Sequence, residues 1–171
     1  MVRALRTPIA AMLLRGAPLV GLLAACGPDP AEEAASGYVA AMQPVLTDNV
    51  TLAQEYLDMA GRIKKGALDG GGIAEKMARD IGPLAVKIHK GALAVQPADP
   101  QLADLHAQLV NTWSDRAKTY GAMSGAWAAG DDAAYEAARA SNLQVKVAEE
   151  TAFGEINAWL GAHGQYLDQY P

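Results

Sequence analysis

One cysteine and one phenylalanine stand among 171 residues. A lone cysteine can neither pair within the chain nor complete a Cys-ligated zinc site, which excludes disulfide scaffolds and structural zinc modules. Aromatic residues make up 6% of the chain, and its alanine-rich runs carry apolar residues at helical spacing, so the composition is that of an all-α protein. Basic residues are outnumbered 14 to 19, for a formal charge of −5. No basic stretch is long enough to follow phosphates, and no nucleic-acid partner is expected. Charged residues form 19% of the chain, too many for a protein with several membrane spans. Enzyme signatures are lacking as well. Gly70-Gly71-Gly72 is not followed by the Lys-Ser/Thr of a phosphate loop, no serine sits in a Gly-x-Ser-x-Gly turn, and no His-Glu-x-x-His pair occurs.

The most specific pattern lies at the N-terminus. Arg3 and Arg6 form a positive start, Leu19 to Leu23 lie in an apolar stretch, and Leu23-Ala24-Ala25-Cys26 closes it with small residues before the only cysteine. Gly27-Pro28-Asp29-Pro30 follows directly and would break a helix continuing from the leader. This pattern resembles the lipobox of bacterial lipoproteins, and the resemblance covers the leader alone. It implies that the Cys26 sulfur is acylated, that the chain is cut just before it, and that Cys26 begins the mature protein. Such a protein would be held on the outer side of a membrane by its lipid, because two or more acyl chains anchor a protein stably where one does not. The alternative is an ordinary secretory signal or an uncleaved helix with a structural cysteine. Arg15 interrupts the apolar run; a start at Met12 would place it in the positive region instead.

On this reading residues 1–25 are a signal peptide, 26–33 a lipidated tether rich in Pro and Gly, and 34–171 a helical domain. Cleavage removes Arg3, Arg6 and Arg15 and no acidic residue, which leaves 146 residues with 11 basic against 19 acidic, a charge of −8. Anionic head groups would repel such a domain, so it is expected to stand off its membrane. Gly27 is not the Asp that follows the cysteine in some lipoproteins. The expected location is the outer membrane in a Gram-negative host and the cell membrane otherwise.

Four helical segments are expected in the mature chain. The first spans about 34–68, with Tyr38, Met42, Val45, Asn49, Leu52, Tyr56, Ala60, Ile63 and Ala67 on one face and a kink at Pro44. The second runs from Ile73 to Val95, bent near Gly82-Pro83. The third is capped by Asp99, with Pro100 in its first turn, and carries Leu102, His106, Leu109, Trp113, Arg116, Tyr120, Met123 and Trp127. The fourth spans about 132–167 with Tyr135, Asn142, Val145, Glu149, Phe153, Ile156, Leu160 and Leu167. Short turns join them, so neighbours run in opposite directions, and the expected fold is an antiparallel up-down-up-down four-helix bundle. The rival is a three-helix arrangement with a loose first segment, since Gly37 and Pro44 weaken its start.

His89, His106 and His163 fall on different helices without metal-binding spacing, so they are read as interfacial or exposed and no metal is expected. Haem is the alternative cofactor reading. Met42 near the start of the first helix and His163 near the end of the last stand roughly where a b-type bundle cytochrome has its ligands. His106, Trp113, Tyr120 and Trp127 recur every seven residues along one seam of the third helix, as core filling or as one wall of a ligand slot. Asn49, Arg116, Asn142 and Glu149 interrupt the apolar stripes. If the third and fourth helices fold back at Gly130-Asp131, residues whose numbers sum to about 262 lie level. This brings Arg116 within about a turn of Glu149 and sets Tyr120 level with Asn142. A partly buried Arg116–Glu149 pair is therefore expected, either as a structural element that sets register or as the lining of a binding cavity.

Together these features favour a non-enzymatic, membrane-anchored bundle with no cofactor, binding an envelope protein or a small ligand. A haem-binding electron-transfer bundle using Met42 and His163 is the alternative. An enzyme using Glu149 as acid or base would require that residue to line an open cleft.

Overall fold

The computed structural model describes residues 29–168, which form four antiparallel helical segments without a strand among the described residues. Helix α1 is Pro30–Lys64. Helix α2 has three consecutive pieces: α-helical Gly70–Lys76, a π-helical turn Met77–Ile81 and α-helical Gly82–Leu93. Helices α3 and α4 are Pro100–Ala129 and Asp132–Gly161. Cys26 and the rest of the proposed leader lie outside the described residues. Among the described residues no helix is long and apolar enough to cross a membrane.

An aspartate caps the start of every segment. Asp29, Asp69, Asp99 and Asp131 accept hydrogen bonds from the backbone N–H groups of Ala31, Gly72, Leu102 and Ala134 at 2.8–2.9 Å. Each carboxylate satisfies a donor that the first turn leaves free and sits at the positive end of the helix dipole. Pro30 and Pro100 occupy first-turn positions where their missing N–H costs nothing. This is why α1 starts at Pro30 and not at 34: the residues read as the end of a tether already form a capped first turn, with Glu32 and Glu33 in it.

Helix α1 runs without a break through Pro44. Pro44 and Ala40 are both exposed, so the carbonyl that Pro44 cannot serve stays open to water. In α2 the second proline is met differently. The Gly82 amide bonds to the Met77 carbonyl five residues back, and the widened turn absorbs the residue before Pro83. The α1 stripe deviates near its end, where Met59 is buried, Ala60 is exposed and Ile63 is 40% exposed. A stripe spaced by 3.5 residues drifts about 20° per heptad on a straight helix, and four heptads carry it off the core face.

Successive segments pack side by side: α1 on α2, α2 on α3, and α3 most extensively on α4. Met42, Leu46, Ile81, Ile88, Leu109, Trp113, Ile156 and Leu160 fill the centre. The fourth side, where α1 faces α4, is not closed by comparable backbone contact. A cleft remains there.

Helix α4 stops at Gly161, short of Leu167, because the chain turns at Gly164 with φ of +70°. Leu167 is nonetheless fully buried. The Asn157 amide holds it, donating to the Leu167 carbonyl at 3.0 Å and accepting from its N–H at 2.7 Å.

Candidate functional site

The cleft between α1 and α4 has a volume of about 320 Å³. Leu52, Tyr56 and Leu57 line it from α1, Val145 and Lys146 from α4, and Arg116 and Tyr120 from α3 at its floor. All five residues of the expected polar cluster, Asn49, Arg116, Tyr120, Asn142 and Glu149, lie in this lining. Asn49, Arg116 and Glu149 are 3%, 6% and 6% exposed.

Arg116 and Glu149 form the expected pair. The Arg116 Nη1 donates to Glu149 Oε1 at 2.8 Å, and both side chains are 7% exposed. Trp113 Nε1 donates to the same oxygen at 2.8 Å, and the Arg116 guanidinium lies 5.3 Å from the centre of the Trp113 ring. Arg116 is thus held by charge at one end and by an aromatic face beside it. Its remaining donors, Nε and Nη2, are shielded from solvent and have no hydrogen-bond partner among the described residues.

The Tyr120 ring stacks on that of Tyr56 across the cleft floor, 5.9 Å between centres and 19° from parallel. Burial pushes the Tyr120 phenol up to about 12, against the opposing influence of the Arg116 charge. Asn142 is tied to α3 through Thr119, whose hydroxyl lies 3.3 Å from the Asn142 Oδ1. The cleft is therefore an aromatic and aliphatic trough with one buried cation, its counter-ion and two amide side chains. Such a surface can bind, and its polar groups can orient what it binds.

The seam of α3 divides between core and cleft. Trp113 is fully buried, Tyr120 faces the cleft, and Trp127 stacks edge-on to Tyr135 with its Nε1 buried and unpartnered among the described residues. Polar atoms of these rings thus do not all reach the bundle edge. His106 lies at the interface of α3 with α1 and α2. It is 4% exposed, its Nε2 donates to the Ala92 carbonyl at 3.0 Å and its Nδ1 accepts from the Tyr38 hydroxyl at 3.1 Å. A carbonyl can only accept, which assigns the ring proton to Nε2. Burial lowers the His106 pKa below its ordinary value of 6.5.

Met42 and His163 are not brought together. Met42 is fully buried in the core, whereas His163 lies beyond α4 with Nδ1 donating to the Trp159 carbonyl at 2.8 Å. The Tyr38–His106 bond places α1 residues level with α3 residues about 68 positions on. By that register Met42 and His163 stand about 11 residues apart along the axis, on the order of 16 Å. Among the described residues no group of three His, Cys, Asp or Glu is placed to hold a metal ion.

Sequence reasoning missed two contacts, that of Trp113 with Glu149 and that of Tyr56 with Tyr120. Trp113 was legible as a candidate, since 113 and 149 sum to 262 and Trp113 lies one turn before Arg116 on the same face. Tyr56 carried no such signal, because its contact with Tyr120 depends on how α1 sits over α3. No protein-family model, curated protein or solved structure matches this chain.

Proposed function

We propose that this chain is a lipid-anchored, extracytoplasmic helical bundle, held at a membrane through Cys26, which binds a small molecule in the α1–α4 cleft without transforming it. The lipobox-like leader supports the location, and the cleft supports the activity. One observation carries the binding reading: a nine-tenths buried arginine lines the cleft while two of its three donor nitrogens have no partner among the described residues. Withdrawing donors of a cation from water is costly unless acceptors replace the water. A pair that served packing alone would be expected to satisfy them from within the fold.

A docking role towards an envelope protein is the second reading. It is favoured by Leu57, Leu143 and Val147, which are 70%, 54% and 60% exposed on the two helices flanking the cleft.

Native mass spectrometry of the protein extracted from its own membrane tests the ligand reading. Wild type should carry a low-mass adduct that Ala53→Trp, which fills the cleft from α1, does not. The same adduct on Ala53→Trp as on wild type, or none on wild type, would overturn it.

A further inference from the structure

The two unpartnered atoms of Arg116 are not an arbitrary pair. A guanidinium presents two edges on which neighbouring N–H bonds run parallel: the end-on edge of Nη1 and Nη2, and the side-on edge of Nε and Nη2. Glu149 takes one bond, from Nη1, at 2.8 Å. What remains, Nε and Nη2, is the complete side-on edge. That edge matches the spacing of two oxygens on one planar acid group.

The surroundings narrow the acid. The charged residues of the lining are Arg116, Glu149 and Lys146, which leaves the cleft one positive charge in excess. A monoanion neutralises it, whereas a doubly charged phosphate ester would leave excess negative charge beside Glu149. Tyr56, Tyr120, Leu52, Leu57 and Val145 offer an apolar wall. A volume of about 320 Å³ lies at the small end of ligand sites and suits a body of roughly ten carbons.

Building on the cleft reading above, we propose that the ligand is an amphipathic monocarboxylate, with its two oxygens on Arg116 Nε and Nη2 and its apolar body against the Tyr56–Tyr120 stack. Lys146, exposed at the mouth, adds attraction for the anion. The side-on edge is shielded from solvent. The carboxylate therefore reaches it through a side-chain rearrangement of the kind that commonly accompanies binding.

Calorimetric titration of the purified full chain with 2-naphthoate and with 2-naphthalenemethanol, its uncharged counterpart, tests this. Wild type should bind the acid about tenfold or more tightly than the alcohol. Arg116→Lys keeps the charge but lacks the paired donors, and should lose that preference. Arg116→Met combined with Glu149→Gln leaves no unpaired buried charge, keeps an acceptor for Trp113, and should lose it too. Circular dichroism verifies that both variants are folded. Equal binding of acid and alcohol by wild type would overturn the acid assignment while leaving the cleft reading intact. Retention of the acid preference in both variants would overturn the role of Arg116. If wild type binds neither probe the proposal fails, and the adduct measurement then decides whether the cleft reading fails with it.

Discussion

Arg116 and Glu149 meet through a single pair of atoms, Nη1 and Oε1 at 2.8 Å, and the same oxygen also accepts the Trp113 indole N–H at 2.8 Å. Two donors from α3 thus converge on one acceptor from α4, one turn apart on the same helical face. The arrangement locks the register of the most extensively packed helix pair. It also leaves two of the three guanidinium nitrogens without a partner among the described residues.

Removing one partner strands the other in a buried site. Arg116→Met should lower stability by about 3–5 kcal/mol. Adding Glu149→Gln should recover roughly half or more of that loss, because the neutral amide needs no counter-ion and still accepts from Trp113. Urea unfolding of the two variants, with unchanged dependence on denaturant, checks the pair.

His106 makes stability depend on pH. Its folded pKa lies below 6.5, so between those values the unfolded chain takes up a proton that the native ring refuses. The contribution is complete above about pH 6.5 and is lost as pH falls below it. Urea midpoints measured from pH 8 to pH 5 should therefore fall more steeply for wild type than for His106→Gln. Parallel curves would contradict the assignment.

Asn157 imitates a backbone pair for the tail. Asn157→Leu removes both bonds to Leu167 and leaves its N–H and carbonyl unserved, at a cost of about 1–3 kcal/mol. Hydrogen exchange at the Leu167 amide should quicken in the variant.

Glycines in this chain divide by conformation. Gly130 ends α3 with φ of +67°, so Gly130→Ala should destabilise by about 1 kcal/mol. Gly121 and Gly125 lie within α3 and are exposed, and a Cβ added at either meets nothing within 4 Å. Alanine at either should stabilise by about 0.5–1 kcal/mol, measurable as a raised urea midpoint.

The proposed lipidation rests on one sulfur. Cys26→Ser should accumulate as an uncleaved precursor, about 25 residues longer than the processed protein, without acyl mass. Mass spectrometry of the membrane fraction reads both changes. Normal processing of the serine variant would remove the anchor from the proposal.

The elements were largely legible in the sequence. Asp-Pro and Gly-Asp pairs mark the helix starts because they combine a side-chain acceptor with a chain that cannot continue the preceding helix. The Arg116–Glu149 pair was legible too, since a short turn after Gly130 makes α3 and α4 antiparallel and turns level positions into simple arithmetic. Helix ends were less so: Pro30 belongs to α1 and Leu167 does not belong to α4, because a cap and a left-handed glycine decided those points locally.

Four helices, most of their buried faces and a charged pair inside the stripe shared by α3 and α4 were all legible from local spacing. Those properties depend on residues near one another in the chain or joined by a turn of fixed length. Packing in three dimensions was needed to show that α1 and α4, the one pair of adjacent helices that no turn connects, leave a cleft between them. It also decided that Tyr56 would meet Tyr120 there, that His106 would be buried between Tyr38 and Ala92, and which edge of Arg116 would remain unpartnered. Each of these depends on the angle and spacing of helices far apart in sequence, which side-chain packing sets and helical periodicity does not encode.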